Sequence, residues 1–287
     1  MDAFLCLDQL NEAKKVAEKL RVMGLGGGRI NQRFLEIAYV EEDQAAAAKE
    51  IQWFAGKPEE YLSFGLQAAH LNVLGQRGES SKLYKKAAKK ALEDELPDVA
   101  AGFDDADARA DALLGNCGRV GRSKLALALC GNTAQSEALA AETSKQFPNG
   151  TVWNAVQLPE IRAALELKHG DAHQAVELLA SASPYERAYP EVPYLRGSAY
   201  LKLGEGAEAA AEFQKVVDHK GASWGSTWIY PNWGLYYSLS YVGLARAFQL
   251  TSNTVEAKKA YDNFTALWKD ADKDAFKQAT RELVKLP

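Results

Sequence analysis

"YLRGSAYLKLGEGAEAAAEFQKVV", residues 194–217, carries the pattern on which the fold reading turns. Gly197 stands three positions before Tyr200, Gly204 follows at a turn, and Ala209 stands four before Phe213. "SYVGLARAFQLTSNTVEAKKAYDNF" (240–264) keeps the order, with Ala245 three before Phe248 and Ala257 four before Tyr261. "EIRAALELKHGDAHQAVELLASA" (160–182) offers Ala163, Gly170, then Ala175 four before Leu179. Small residues such as Gly197 and Ala209 let two helices of a pair approach closely, and Tyr200 and Phe213 fill the groove to the next pair. Gly170 and Gly204 end the first helix in a left-handed cap that reverses the chain. Each stretch therefore predicts a helix–turn–helix hairpin.

The hairpins repeat. Markers at Ala13, Ala47, Ser80, Ser136, Ala175, Ala209 and Ala257 lie 34, 33, 56, 39, 34 and 48 residues apart. The residue order and the recurring 34 match the tetratricopeptide (TPR) pattern. The predicted fold is all-α: antiparallel helix pairs in a TPR-like right-handed superhelix, an α-solenoid. It forms a single array over 1–287 with about six to seven repeats. Expected pairs are 29–40/44–55, 60–74/78–95, an irregular 97–114/119–130/134–146, 155–168/172–182, 190–203/207–219 and 231–250/254–269. Residues 1–22 read as a truncated first repeat, which suggests a piece of something longer, and 272–287 as a closing helix. The irregular 97–146 is too long for one repeat and too short for two, with a second helix missing after Gly115.

The 48-residue interval holds "GASWGSTWIYPNWGLYY" (221–237), with three of the chain's six tryptophans. Against a period of 34 it is an insertion of about 14 residues, an aromatic loop over 220–230. Pro231 suits the first turn of the following helix. Trp233 then belongs to the core, while Trp224 and Trp228 stay in the loop at the mouth of the groove.

"AAAEFQKVVDHKG" (209–221), "LARAFQLTSNTVEAKKAYDNFTALWKDADKD" (244–274) and "ALCGNTAQSEALAAETSKQFPNG" (128–150) resemble the C-terminal TPR region of a family of bacterial serine/threonine protein kinases. Similar regions follow winged-helix regulator domains. The likeness is best from Ala126 to Asp274. It implies an interaction or sensory array attached to a signalling protein, with no catalytic residue on this segment. The kinase motifs are not here: no Gly-rich loop with its Lys strand, no His-Arg-Asp loop, no Asp-Phe-Gly. The chain departs from the family by its shorter stretch between Gly115 and Gly131 and by its tryptophans around 221–237.

Composition narrows the function. The chain is 47% hydrophobic and 25% charged, with a net charge of -4. That balance suits a soluble protein and argues against nucleic-acid binding, which needs a basic face. The three cysteines, Cys6, Cys117 and Cys130, are odd in number and unpaired in pattern, so they read as small buried thiols in a reducing compartment. The start lacks signal-peptide features and no apolar run reaches membrane-spanning length, so the expected location is cytoplasmic, without membrane insertion.

Motifs that mimic chemistry each have a plainer reading. "GLGGGR" (24–29) follows a helix and lacks the Lys-Ser/Thr of a phosphate loop, so it reads as a link. His169 and His173 are split by a turn and lack a third ligand. "FDDADARAD" (103–111) lacks the Gly and Glu of a calcium loop, and "KLYKKAAKK" (82–90) reads as a solvated helix face. No Ser-His-Asp or Cys-His set is present, so no enzyme, cofactor or metal is expected. First-helix positions offer almost no basic residue for clamping a peptide carboxylate; only Arg246 qualifies. Aromatic and polar groups remain: Trp153, Asn154, Gln157, Tyr194, Ser198, Lys202 and Arg246, joined by Trp224 and Trp228. These are the expected groove for a protein or peptide partner. Two alternatives stand beside it, a small-molecule sensor using the aromatics near 224–237, and self-association.

Overall fold

Turns of two or three residues, each with one residue in the left-handed region, fold this chain into helical hairpins. The computed structural model describes residues 1–224, 234–281 and 283, and these are all-helical, with no strand among them. The hairpins are α1 (Asp2–Cys6) with α2 (Leu10–Val22), α3 (Gly28–Val40) with α4 (Gln44–Phe54), and α5 (Glu60–Val73) with α6 (Arg77–Glu93). Then come α7 (Pro97–Leu113), the pair α8 (Lys124–Leu129) and α9 (Thr133–Gln146), and α10 (Leu158–His169) with α11 (Ala172–Leu178). They are followed by α12 (Glu191–Leu203) with α13 (Gly206–Asp218), α14 (Lys220–Trp224), α15 (Gly234–Leu250) with α16 (Thr254–Leu267), and α17 (Lys273–Thr280). Gly170 (φ 98°) and Gly204 (φ 77°) take the left-handed caps expected of them. Asp43, Ser123, Asp171 and Asn253 cap helix starts by accepting from backbone N–H groups.

The marker register is physical. Ala13, Ser80, Ser136, Ala175, Ala209 and Ala257 are fully buried, and Ala47 nearly so. Where serine replaces alanine, its hydroxyl donates to a carbonyl twelve residues back: Ser80 to Ala68 at 2.8 Å and Ser136 to Lys124 at 2.9 Å. Phe213 lies between two glycines. A Cβ on Gly197 would come within 3.0 Å of its ring and one on Gly243 within 2.6 Å, so the aromatic ring packs against bare backbone on both sides.

Two local expectations are corrected. The cysteines are not all free: Cys117 and Cys130 form a disulfide with Cα atoms 5.7 Å apart, across 13 residues, and only Cys6 remains a thiol. A disulfide is not what a chain of buried thiols in a reducing compartment would hold. The aromatic insert is not a loop at its start, because Lys220–Trp224 is helical. The Asp8 carboxylate, from the other end of the chain, accepts from Gly221 N at 2.6 Å in its first turn. Trp228, Pro231 and Trp233 lie outside the described residues. Of the expected closing helix, Lys273–Thr280 is helical, and 282 and 284–287 lie outside the described residues. Before α10 the chain makes a π-turn at Trp153–Gln157. Pro159 has no N–H to give the Ala155 carbonyl, and Ser181 Oγ donates to that carbonyl instead, at 3.2 Å.

After α7 a short 3-10 turn, Cys117–Arg119, stands where a second helix would complete the pair, and α7 packs directly on both α6 and α8. The ends of the array meet. α15 packs on α5, and the Val73 carbonyl accepts from Ser238 Oγ at 2.7 Å and Trp268 Nε1 at 2.9 Å. Asp272 N donates to Gly75 O at 3.0 Å, while Asp272 Oδ2 accepts from Gly78 N at 2.7 Å. At the far side Asp8 also contacts His219 Nδ1 at 3.1 Å, and Arg187 Nε donates to Cys6 O at 2.6 Å. First helices of the pairs thus pack on one another and form an inner core.

Candidate functional site

The described residues of the expected groove differ in exposure and in partners. Trp153 is buried, its Nε1 donating to Ser144 Oγ at 3.0 Å, and it packs with Leu125, Ile161 and Leu165. Asn154 and Gln157 are exposed beside it, the amide of Asn154 donating to Pro148 O at 2.9 Å. Tyr194 is half-buried on α12, edge-on to Phe213 (5.6 Å) and Tyr236 (5.1 Å). Ser198 Oγ donates back to Tyr194 O at 2.8 Å. Lys202 is exposed and Arg246 half-buried on α15. Trp224 ends α14, and Trp228 lies outside the described residues. Leu66, Ala69, Ile161, Ala164, Leu195 and Val242, the inner positions of a peptide groove, are buried.

At the centre of that inner layer sits a polar cluster the sequence reading missed. Glu160 of α10 and Glu191 of α12 are 2% and 3% exposed, and Tyr236 of α15 is 1% exposed. Arg109 of α7 lies 3.9 Å from Glu191 and 2.7 Å from Asp105. Burial, and then the Glu191 charge, push the Glu160 carboxyl well above the usual carboxylate range against the pull of Arg109. Burial also raises the Tyr236 phenol. Glu160 Oε1 and the Tyr236 hydroxyl have no hydrogen-bond partner among the described residues. No local pattern announces such a cluster, because its members come from four helices.

An open depression lies at the other end of the array, where α2 passes through its glycines into α3 and faces α4. Its volume is about 600 Å³, and Arg21, Gly26, Gly27, Asn31, Lys49, Glu50, Gln52 and Trp53 line it. One wall is rigid. Arg21 NH2 donates to both Glu50 oxygens at 3.0 Å and to Asn31 Oδ1 at 2.6 Å, and the guanidinium lies 3.8 Å over the Phe34 ring. Gly27 is extended backbone (φ 172°) and caps α3, with Asn31 Nδ2 donating to its carbonyl at 2.9 Å. The opposite wall presents Trp53, half-buried, with Lys57 Nζ 3.2 Å from its ring, while Lys49 is exposed and forms no ion pair among the described residues. Val22, Met23 and Leu25, next in the chain to these glycines, are 88%, 60% and 60% exposed. Gly26 and Gly27, in the link between α2 and α3, thus also line this depression opposite Trp53.

The other motifs resolve into structure. Asp107 and Asp111 of the acidic stretch bind Arg77, whose Nε is 3.0 Å from Asp111. The lysine stripe lies on the outer face of α6. His169 Nε2 is 3.1 Å from Thr133 Oγ1, and among the described residues no three His, Cys, Asp or Glu side chains converge as a metal site. No described helix is long and apolar enough to cross a membrane.

No protein-family model matches the chain. No curated protein matches it significantly either.

Proposed function

We propose that this chain is a non-enzymatic protein-interaction module, a TPR-like array serving as the regulatory part of a larger bacterial signalling protein. The resemblance across 126–274 supports the signalling context. The observation that carries the interaction reading is the depression between the α2–α3 glycines and α4. It offers an aromatic anchor, Trp53, an exposed cation, Lys49, that forms no ion pair among the described residues, and exposed apolar residues beside the glycines, on a wall fixed by Arg21 and Glu50. Anchored aromatics with a few polar groups are what short peptide segments bind. This outer groove is open, whereas Leu66, Ile161 and Leu195 on the inner face are buried.

The test is to pan a displayed peptide library against the intact chain and repeat with Trp53→Ala. Binders should quench or shift tryptophan emission and weaken by at least tenfold in the variant, since truncating an anchor costs about 2 kcal/mol. Recovered peptides that bind both proteins equally would place the interaction elsewhere. The alternative, a small-molecule sensor using the aromatics near 224–237, draws on Tyr236, which lies edge-on to Tyr194 beside the buried Glu160 and Glu191. A thermal-shift screen of small metabolites addresses it, because a ligand entering that cluster stabilises the fold.

A further inference from the structure

The segment Gly115–Ser123 joins α7 to α8 through a short 3-10 turn in place of a second helix. We propose that the Cys117–Cys130 disulfide is a reversible redox latch that holds this segment as the seat for the last helix, α17. Cys130 caps the end of α8, so the bridge ties the segment to a packed helix. On its other side the segment receives α17: Gln278 Nε2 donates to Asn116 Oδ1 at 2.7 Å, and a Cβ on Gly115 would come within 2.9 Å of the Arg281 guanidinium. Arg119 reaches back 3.0 Å to the buried Asp111, and Val120 tucks into the cluster of Ala108, Ala112 and Leu127. The contacts of Gln278 and Arg281 add to the packing of Ala275, Phe276 and Ala279 of α17 against Phe264 and Trp268.

The bridge is open to reagents. Cys117, Gly118, Arg119, Gly121 and Arg122 are all exposed. A dithiol reductant attacks the Cys117 sulfur, forming a mixed disulfide and releasing Cys130 as thiolate. Its second thiol then displaces Cys117 and closes the reductant's own disulfide. Two electrons pass to the chain, and the two protons given up by the dithiol end on Cys117 and Cys130. Cys6 stays outside this exchange: it is half-buried on α1, and burial followed by the Asp2 charge pushes its thiol up, which suppresses the thiolate. Once reduced, the segment regains the freedom of its glycines, and α17 loses the ordered turn beneath it.

The experiment uses the whole chain with and without dithiothreitol. Alkylation after unfolding should label one cysteine in the oxidised chain and three in the reduced one. Trypsin should cut after Arg119 and Arg122 about tenfold faster on reduction, and amide exchange over 273–281 should accelerate with it, other helices keeping their protection. A Cys117→Ser/Cys130→Ser variant should behave as the reduced chain in both buffers. If that variant does not fold, the reduced wild type, checked by circular dichroism and reoxidation, supplies the comparison. Three labelled cysteines before reduction, unchanged trypsin cutting, faster cutting without faster exchange in 273–281, or global unfolding on reduction would each overturn the latch.

Discussion

Glu36 and His70 set opposing pH responses inside one packed region. Glu36, on α3 and 1% exposed, accepts from Arg33 at 2.6 and 2.7 Å and from Gln32 at 3.1 Å. Burial outweighs these partners and lifts its carboxyl from 4.5 to about 7. A proton that the unfolded chain releases above 4.5 is thus retained by the fold. This contribution to stability is whole below 4.5 and is lost as pH rises towards 7. His70 stacks on Tyr39 with ring centres 4.0 Å apart, and burial lowers its imidazole from 6.5 to about 4. The fold resists a proton that the unfolded chain accepts, so this contribution is present above 6.5 and is lost as pH falls towards 4. Between 4.5 and 6.5 the two slopes oppose each other, each about 1.4 kcal/mol per pH unit at its steepest. Glu36→Gln removes one of them. Relative to wild type, its urea midpoint should fall more steeply on acidification through this window. Parallel profiles for the two proteins would refute the assignment.

At the scale of elements, the contact between the first and last parts of the array works through helix ends. The Val73 carbonyl at the end of α5 receives Ser238 and Trp268, and Asp272 supplies an acceptor to the first turn of α6. Gly75, in the turn between those helices, has φ +71°, and a Cβ there would come within 2.6 Å of both Ala271 and Trp268. Gly24 has nearly the same φ, +72°, with nothing within 4 Å. Gly24→Ala should therefore cost only the backbone strain, about 1 kcal/mol, whereas Gly75→Ala adds a clash and should cost about 3 kcal/mol. Equal losses in urea titrations would mean that the interface yields freely. Hairpins were legible in the sequence because their causes are local: Ala209, Phe213 and Gly204 lie within one pair and recur with a period. The Cys117–Cys130 bridge, the helical start of the insert and the Glu160–Glu191 pair were not. Each is decided by which residues meet after the hairpins stack, and no spacing along the chain records that Asp8 will reach Gly221.

For the whole molecule, the meeting of the ends changes how stability is shared. In an open array each repeat touches only its neighbours, so segments unfold piecemeal and the ends fray first. Here α5 and α15 pack together although Val73 and Ser238 are 165 residues apart. Asp8 and Arg187 join α1 to the region of α13 and α14 in the same way. Loss of either end exposes the inner layer and leaves the buried polar groups of Arg109, Glu160 and Glu191 without their surroundings, which makes partial unfolding expensive. Native-state amide exchange tests this directly. The cores of α3, α5, α15 and α16 should open with one common free energy, while surface segments such as the Cys117–Arg119 turn open locally. Replacing Trp268 by Leu removes the bond to Val73 and part of the packing. It should split that single value into separate ones for 28–93 and 234–267. A wild type in which these two regions already exchange with different free energies would show that the ends touch without being energetically joined.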